Sequence, residues 1–289
     1  MNIIDGKAIA DKVFLRLKER IQTDQITPGL AFLLVGTHNA SETYVRMKKK
    51  KCEEIGMTST VLNLPEAITE EALLEEISNL NHDKKIHGMI VQQPLPPHID
   101  PQKVQMAMDP RKDVDGFHPL NVGKLLLGDP SGFPSCTPFG IIHLLEAYNI
   151  QTAGKHIVII GRSNIVGKPL AALLLQRGRF ADATVTVVHS KTSKIKEHCQ
   201  RADILIAALG NPLFVKADMV KENAVVIDVG INRIDIKGKV SVVGDVDFHN
   251  VKEKCSYITP VPGGVGPMTI AMLLSNTVES CLRHNSILC

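Results

Sequence analysis

The chain has 289 residues, 44% hydrophobic and 22% charged, with a formal net charge of +3. That content fills one large or two medium cores, and the small, dispersed charge excludes the basic field that nucleic acid demands, although Lys48 to Lys51 form a local run. No apolar run approaches membrane-spanning length, and Met1-Asn-Ile-Ile-Asp-Gly-Lys7 carries charge where a signal peptide would be apolar and lacks the Arg-rich character of a transit peptide, so a cytoplasmic protein is expected.

After Asp5, suited to a helix N-cap, Ile9, Val13, Leu17 and Ile21 recur along one helical face. Pro28-Gly29 then opens a strand, Leu30 to Val35. A helix is predicted over Glu42 to Ile55, a strand near Val61 to Leu64, a helix over Glu70 to Leu80 and a strand over His87 to Val91. Strand and helix alternate, which predicts an α/β fold with a mostly parallel, doubly wound sheet. Beyond Pro94-Leu-Pro-Pro97, the stretch Asp109 to Thr137 reads as a loop-heavy connection between domains. A second alternation follows: a helix over Ile141 to Tyr148, then strands near Ile157 to Ile160, Thr184 to Val188, Ile204 to Ala207 and Val225 to Val229. Finally Pro260-Val-Pro-Gly-Gly-Val-Gly-Pro267 breaks the chain before an apolar helix from Met268 to about Leu282.

The junction after Ile160 is the most informative. A buried strand runs into a turn bracketed by Gly161 and Gly167, and Pro169 with Leu170 to Leu175 opens a helix whose N-terminal N–H groups suit a pyrophosphate. Ser163 stands where the standard dinucleotide fingerprint has its second glycine. After the next strand comes His189-Ser190-Lys191-Thr192, without the acid that holds a ribose 2′-hydroxyl. With Arg162, Ser190 and Lys191 in these two turns, the site suits the 2′-phosphate of NADP over NAD. The competing reading is a βαβ unit whose glycine turn only packs helix on strand. In open α/β sheets ligands bind beyond the carboxyl ends of strands, where Gln92, Gly161, Ser190, Gly210 and Gly230-Ile231 stand, and glycine there allows close approach of a flat ligand.

Tyr44 and Lys48, spaced i, i+4, share a helix face, while the alternative makes Lys48 one of four solvated lysines. Lys112-Asp-Val-Asp-Gly116 sets two carboxylates in a tight loop that fits either a ligand's polar group or a surface turn. The six cysteines, Cys52, Cys136, Cys199, Cys255, Cys281 and Cys289, show no metal-ligand spacing and read as reduced thiols. His87 and His118 read as packing or surface residues, and no metal is expected.

Taken together, Tyr44-Val-Arg-Met-Lys48, Val91-Gln-Gln-Pro-Leu-Pro96, Lys112-Asp-Val-Asp-Gly116, Gly161-Arg-Ser-Asn-Ile-Val-Gly167 and Pro260-Val-Pro-Gly-Gly-Val-Gly-Pro-Met-Thr269 resemble, in order over nearly the whole chain, the bifunctional methylenetetrahydrofolate dehydrogenase/methenyltetrahydrofolate cyclohydrolase family. The resemblance implies two domains: an N-terminal α/β catalytic domain of residues 1–138 joined by a returning C-terminal helix, 270–289, and a Rossmann-like NADP-binding domain of residues 139–269. It implies NADP-dependent oxidation of 5,10-methylenetetrahydrofolate to the methenyl cation and hydrolysis to 10-formyltetrahydrofolate in one cleft. By the same resemblance Lys48 is the essential cyclohydrolase residue with Gln92 beside it, Tyr44 stacks on folate, Asp115 rather than Asp113 binds the pterin, and Val91, Gln93 and Pro262-Gly263-Gly264 line the substrate. Gly161, Arg162, Ser163, Ser190, Gly210, Gly230 and Ile231 are the expected NADP contacts, and a homodimer through the cofactor domains is implied.

Physical chemistry makes these roles reasonable. A methenyl cation disfavours a neighbouring ammonium, so the substrate helps prepare its own base, and a glutamine holds an amine without adding charge. Two departures from the family pattern stand out: Gln93 replaces a common leucine, and Ser135 precedes Cys136 where proline is usual. Neither is assigned to chemistry, although Gln93 bears on folate binding. The alternatives are a dehydrogenase-only member, another NADP dehydrogenase of the shikimate type, and a catalytically silent nucleotide-binding protein with Lys48 to Lys51 as a docking patch.

Overall fold

The computed structural model describes residues 1–36, 39–236 and 239–288; Cys289, expected as a reduced thiol, lies outside them. In chain order the first elements are β1 (Asn2–Ile3), α1 (Gly6–Thr23), β2 (Gly29–Val35), α2 (Asn39–Ile55), β3 (Thr58–Leu64), α3 (Glu70–His82), β4 (Gly88–Val91), α4 (Pro101–Ala107) and α5 (Pro119–Leu127). They are followed by α6 (Cys136–Ala147), β5 (His156–Ile160), α7 (Gly167–Leu175), β6 (Thr184–Val188), α8 (Ile195–Cys199), β7 (Ile204–Ala207), β8 (Ala224–Asp228), β9 (Asn232–Ile236), β10 (Lys239–Val243), α9 (Phe248–Val251), β11 (Cys255–Ile258) and α10 (Val265–Leu288). The chain divides into two compact units, Lys12–Pro134 with Ile270–Cys289, and Met1–Asp11 with Ser135–Thr269. The first is called the folate unit and the second the nucleotide unit, after the roles that the resemblance implies.

In the folate unit β2 pairs in parallel with β3 on one side and β4 on the other. Every residue of β2 is buried, which is why Leu30 to Val35 reads as a continuous apolar run rather than an alternating one. Asp5 accepts the Ala8 N–H at 2.9 Å and so caps α1 as its position suggests. The stretch Asp109 to Thr137 is more ordered than a connecting loop. His118 accepts the Leu120 N–H at 3.1 Å, Pro119 opens α5, and Gly128, at φ 73°, closes it in the left-handed region. Those signals were in the sequence but were outweighed by the density of glycine and proline. The short helix α4, capped by Asp100, also escaped the periodicity reading.

The nucleotide unit holds a six-stranded parallel sheet in the order β1-β11-β8-β7-β5-β6, with β9 and β10 as a separate antiparallel hairpin. Residues 1–11 group with this unit, whereas the resemblance implied a catalytic domain of 1–138 with 270–289. The cause is strand pairing: Asn2 and Ile3 pair with Tyr257 and Ile258, and the Ile4 N–H reaches the Ile258 carbonyl at 2.8 Å. The chain runs from β5 to β6 on one side and then returns across β5 to β7 on the other, so the topological switch point lies at the carboxyl ends of β5 and β7. The hairpin and β11 were not anticipated, since each is short and polar residues interrupt it.

Candidate functional site

In the folate unit α2 follows β2 and therefore starts at the carboxyl edge of the three-stranded sheet. Its buried stripe is Val45, Cys52 and Ile55, and Lys48, half-buried, falls on that stripe at helical spacing. The neighbouring lysines differ. Lys49 pairs with Glu53 at 3.9 Å, Lys51 pairs with Glu54 at 2.6 Å, and Lys50 is exposed. Among the described residues Lys48 has no salt bridge, so it is set apart from the solvated run that the sequence left as an alternative. Tyr44, one turn earlier, is 38% exposed and presents a ring to solvent.

Gln92 follows β4 and its N–H is held by the Leu33 carbonyl at 2.9 Å. Its Nε2 donates to the Gln93 carbonyl at 3.0 Å, while its Oε1 is buried without a hydrogen-bond partner. A buried acceptor left unmade costs about 1–3 kcal/mol. The 109–116 loop runs alongside β4: Met89 and Asp113 form a parallel bridge, and the Met89 N–H reaches the Lys112 carbonyl at 2.9 Å. The bridge is isolated: the chain turns directly after it, with the Gly116 N–H reaching the Asp113 carbonyl at 3.2 Å, and Asp115 lies in that turn.

The two aspartates of this loop separate cleanly. Asp113 is fully buried and accepts from the Phe117 N–H (3.2 Å), the His118 N–H (2.7 Å) and Asn121 Nδ2 (2.8 Å), and burial pushes its carboxyl up. Asp115 is half-buried at the turn that Asp113 holds. Lys112 is likewise structural, its Nζ donating to the carbonyls of Leu80 and Asp83 at 2.8 Å each, where it closes the end of α3. From α10, Asn276 donates to the Val114 carbonyl (2.9 Å) and Ser280 to the Arg111 carbonyl (2.8 Å). Sequence reasoning missed Asn121, Asn276 and Ser280. The last two stand at i, i+4 and so share a face of α10, which was the available signal.

In the nucleotide unit Gly161 has φ +129°, and a Cβ there would lie 2.1 Å from the Ala208 carbonyl oxygen. A Cβ at Gly167 would lie 2.2 Å from the Gly161 carbonyl oxygen, so these glycines let turn and helix close on the strand ends. Ser163 Oγ accepts the N–H groups of Val166 (3.1 Å) and Gly167 (3.4 Å), capping α7 from within the chain. Register places Ile160 beside Val188, so Arg162 and Ser190 leave adjacent strand ends, and both are exposed. The turn after β6 is closed on itself by His189 and Thr192, through the His189 N–H to Thr192 Oγ1 (3.0 Å) and the Thr192 N–H to the His189 carbonyl (2.8 Å).

The glycines at the other strand ends serve different purposes. Gly210, at φ +67°, faces open space, whereas a Cβ at Gly230 would lie 2.3 Å from Asp245 Oδ1. Gly230 thus provides room for a buried carboxylate. Asp228 and Asp245, both buried and both missed from sequence, lie beneath these turns, and burial pushes the Asp228 carboxyl up to about 6. The Pro262-Gly263-Gly264 turn also belongs to the nucleotide unit, with Gly263 at φ +106° and its carbonyl receiving the Lys7 N–H at 3.0 Å. A Cβ on Gly6 would lie 1.8 Å from the Gly264 carbonyl oxygen, so the N-terminal segment is pressed directly on this turn.

Two family models divide the chain in the same sense: the tetrahydrofolate dehydrogenase/cyclohydrolase catalytic domain matches residues 4–115, and the NAD(P)-binding domain of the same name matches residues 135–285. The chain belongs to the tetrahydrofolate dehydrogenase/cyclohydrolase family. The bifunctional protein FolD of Protochlamydia amoebophila is 55% identical over 289 residues, covering 99% of each chain. The crystal structure of the Campylobacter jejuni bifunctional FolD superposes with a TM-score of 0.93 at 51% identity, covering 98% of this chain and 99% of that one. The Trypanosoma brucei enzyme, solved with NADP and an inhibitor, gives 0.92 at 37% identity, covering 99% and 98%. Full-length agreement with bifunctional members sets aside the shikimate-type alternative, and the α/β fold with an NAD(P)-binding domain stands as expected.

Proposed function

We infer that this family member catalyses both steps: oxidation of 5,10-methylenetetrahydrofolate to 5,10-methenyltetrahydrofolate with NADP, then hydrolysis to 10-formyltetrahydrofolate. One observation carries the reading. Among the described residues, Lys48 lies on the buried stripe of α2 without a carboxylate partner, and Gln92 Oε1 is a buried acceptor without a hydrogen bond.

In the hydrolytic step a water oxygen attacks the methenyl carbon while Lys48 Nζ takes a water proton. Collapse breaks the bond from that carbon to N5, the hydroxyl proton leaves as the C=O bond forms and is balanced by the proton that N5 takes, and the formyl group stays on N10. Gln92 orients the Lys48 amine through a neutral side chain that adds no charge. Tyr44 stacks on the folate, Asp115 accepts the pterin's N–H groups, and Val91, Gln93, Pro262, Gly263 and Gly264 line the substrate. Oxidation requires no acid or base from the chain, because the substrate nitrogen lone pair supplies the push.

The nucleotide unit fits NADP on its own geometry: a glycine-lined cradle that a Cβ would fill at Gly161 and Gly167, and exposed Arg162, Ser190 and Lys191 with no acid at the end of β6. NADP, when bound, supplies the hydride acceptor. Gly161 and Ser163 are assigned to the pyrophosphate, Arg162 and Ser190 to the 2′-phosphate, and Gly210, Gly230 and Ile231 to the nicotinamide half. The exposed valines of the β9–β10 hairpin, Val240 at 74% and Val242 at 39%, support a homodimer through this unit, since a second copy would cover them. Five buried cysteines that form no disulfide among the described residues support a cytoplasmic location.

The deciding experiment mixes purified protein with 5,10-methylenetetrahydrofolate and NADP, following NADPH and methenyl-folate separately. Wild type yields NADPH and 10-formyl product, while Lys48→Met stalls at methenyl-folate with hydrolysis down by about a thousandfold. Absence of NADPH formation by wild type with either NADP or NAD would sink the dehydrogenase reading and favour silent binding.

A further inference from the structure

We propose that Asp245, seated on Asp228, is the positioning residue for the nicotinamide half of the cofactor site, acting through the turns that follow β7 and β8. The inference rests on the NADP reading above and adds to it the group that sets the site's shape.

Asp245 Oδ2 accepts the N–H groups of Leu209 (2.8 Å) and Gly210 (2.9 Å), and its Oδ1 accepts from Asn232 Nδ2 at 2.8 Å. The Asp245 N–H in turn donates to Asp228 Oδ1 at 2.9 Å, and Asp228 also accepts from the Gly230 N–H (3.0 Å) and the Val246 N–H (2.9 Å). The Asp228 N–H donates to Thr259 Oγ1 at 2.7 Å, immediately before the Pro260 to Gly264 turn. The two carboxylates thus tie together the turn after β7 and the turn after β8, and the Asp228 backbone N–H adds the approach to the proline-glycine segment. The packing is reciprocal. A Cβ at Gly230 would strike Asp245, and a Cβ at Gly244 would lie 1.8 Å from Asp228 Oδ2, so each carboxylate fills the space of a missing side chain beside the other.

Both aspartates are at least nine-tenths buried, Asp245 at 0% and Asp228 at 3% exposure. Burying two acids is costly, and neutral turns can be closed by backbone bonds alone, so the pair is an expensive way to make loops unless their placement matters. In a doubly wound dinucleotide fold the first strands hold the adenosine half and the later strands the nicotinamide half. The pair lies wholly under the second half. The adenosine-side contacts, Arg162 and Ser190, leave β5 and β6, and none of the hydrogen bonds described for the pair involves them.

Asp245→Asn keeps the shape but replaces an acceptor oxygen with a second amide donor, and Asp245→Asn with Asn232→Asp restores a donor-acceptor pair in reverse. In the cofactor-free single variant, hydrogen exchange at the Leu209 and Gly210 amides should quicken at least about tenfold. With NADP, dehydrogenase kcat should fall at least about tenfold, while binding of 2′-phosphoadenosine diphosphate and hydrolysis of supplied methenyltetrahydrofolate stay within about twofold. The double variant should regain most of kcat. Hydrolysis, which uses no NADP, reports whether the protein is folded. Unchanged exchange and kcat in the single variant would overturn the proposal, as would parallel loss of both activities or failure of the double variant to recover. If wild type itself makes no NADPH, the functional reading fails first and the positioning role goes with it.

Discussion

In the folate unit individual side chains are set out for chemistry, with Lys48 on a buried stripe and Gln92 offering an unmet acceptor, whereas in the nucleotide unit the assigned contacts are mostly turns shaped by glycine and held from below by buried carboxylates. The support differs accordingly. Asp113 and Lys112 stiffen one loop so that Asp115 is presented at its tip, while Asp228 and Asp245 fasten several turns at once. A change of one functional group in the folate unit should therefore remove one step, and a change at a strand end of the nucleotide unit should alter which cofactor is held.

The sharpest way to break that contrast is Gln92→Glu. A carboxylate beside an amine favours the ammonium, so hydrolysis should fall about a hundredfold while oxidation persists, with methenyl-folate accumulating in a coupled assay. Retention of wild-type hydrolysis would refute the neutral-orienter role. On the nucleotide side, Ser190→Asp places an acid at the end of β6, which repels a 2′-phosphate and accepts from a ribose hydroxyl. The ratio of kcat/KM for NADP over NAD should drop about tenfold or more, and an unchanged ratio would remove Ser190 from the site.

The smallest effect concerns stability. His87 Nδ1 accepts the Gly29 N–H at 3.0 Å, and burial, with His284 and Lys112 adding like charge and Asp83 opposing, pushes its imidazole down from 6.5 to about 4. The unfolded chain then takes up the proton first, so stability present above the unfolded value is lost as pH falls towards the folded one. Urea melts should show wild type losing on the order of 1 kcal/mol more than His87→Gln between about pH 6.5 and 5. Equal pH slopes would place the acid sensitivity elsewhere. Asp228 has the opposite sign: its raised value favours the fold below the ordinary carboxyl range, and that advantage is lost as pH rises through about 6.

The legible parts of the molecule were those with local signatures. Continuous apolar runs marked β2, β5 and β7, and the strand-glycine-helix junction marked the turn at Gly161, because burial on both faces and positive φ restrict residue choice at the site itself. Motif order and spacing, by family resemblance, are what propose Lys48, Gln92 and Asp115 for the chemistry. Short elements escaped, among them α4, the β9–β10 hairpin and β11, since a few residues carry too little periodicity to separate them from loops.

By itself the sequence determined the alternation of strand and helix, the glycine junction, and the residue types that the chemistry needs. Tertiary structure alone decided which lysine of the run lies on a buried stripe, which aspartate of Lys112 to Gly116 is locked, and that residues 1–11 join the sheet of the nucleotide unit. It alone revealed that Gly230 and Gly244, far apart from the opposite aspartates in sequence, make room for them. The physical reason is common to all of these. Burial and hydrogen-bond satisfaction are set by what other segments bring to a residue, and a polar side chain carries no mark of whether its partner is water, substrate or a backbone N–H from another turn.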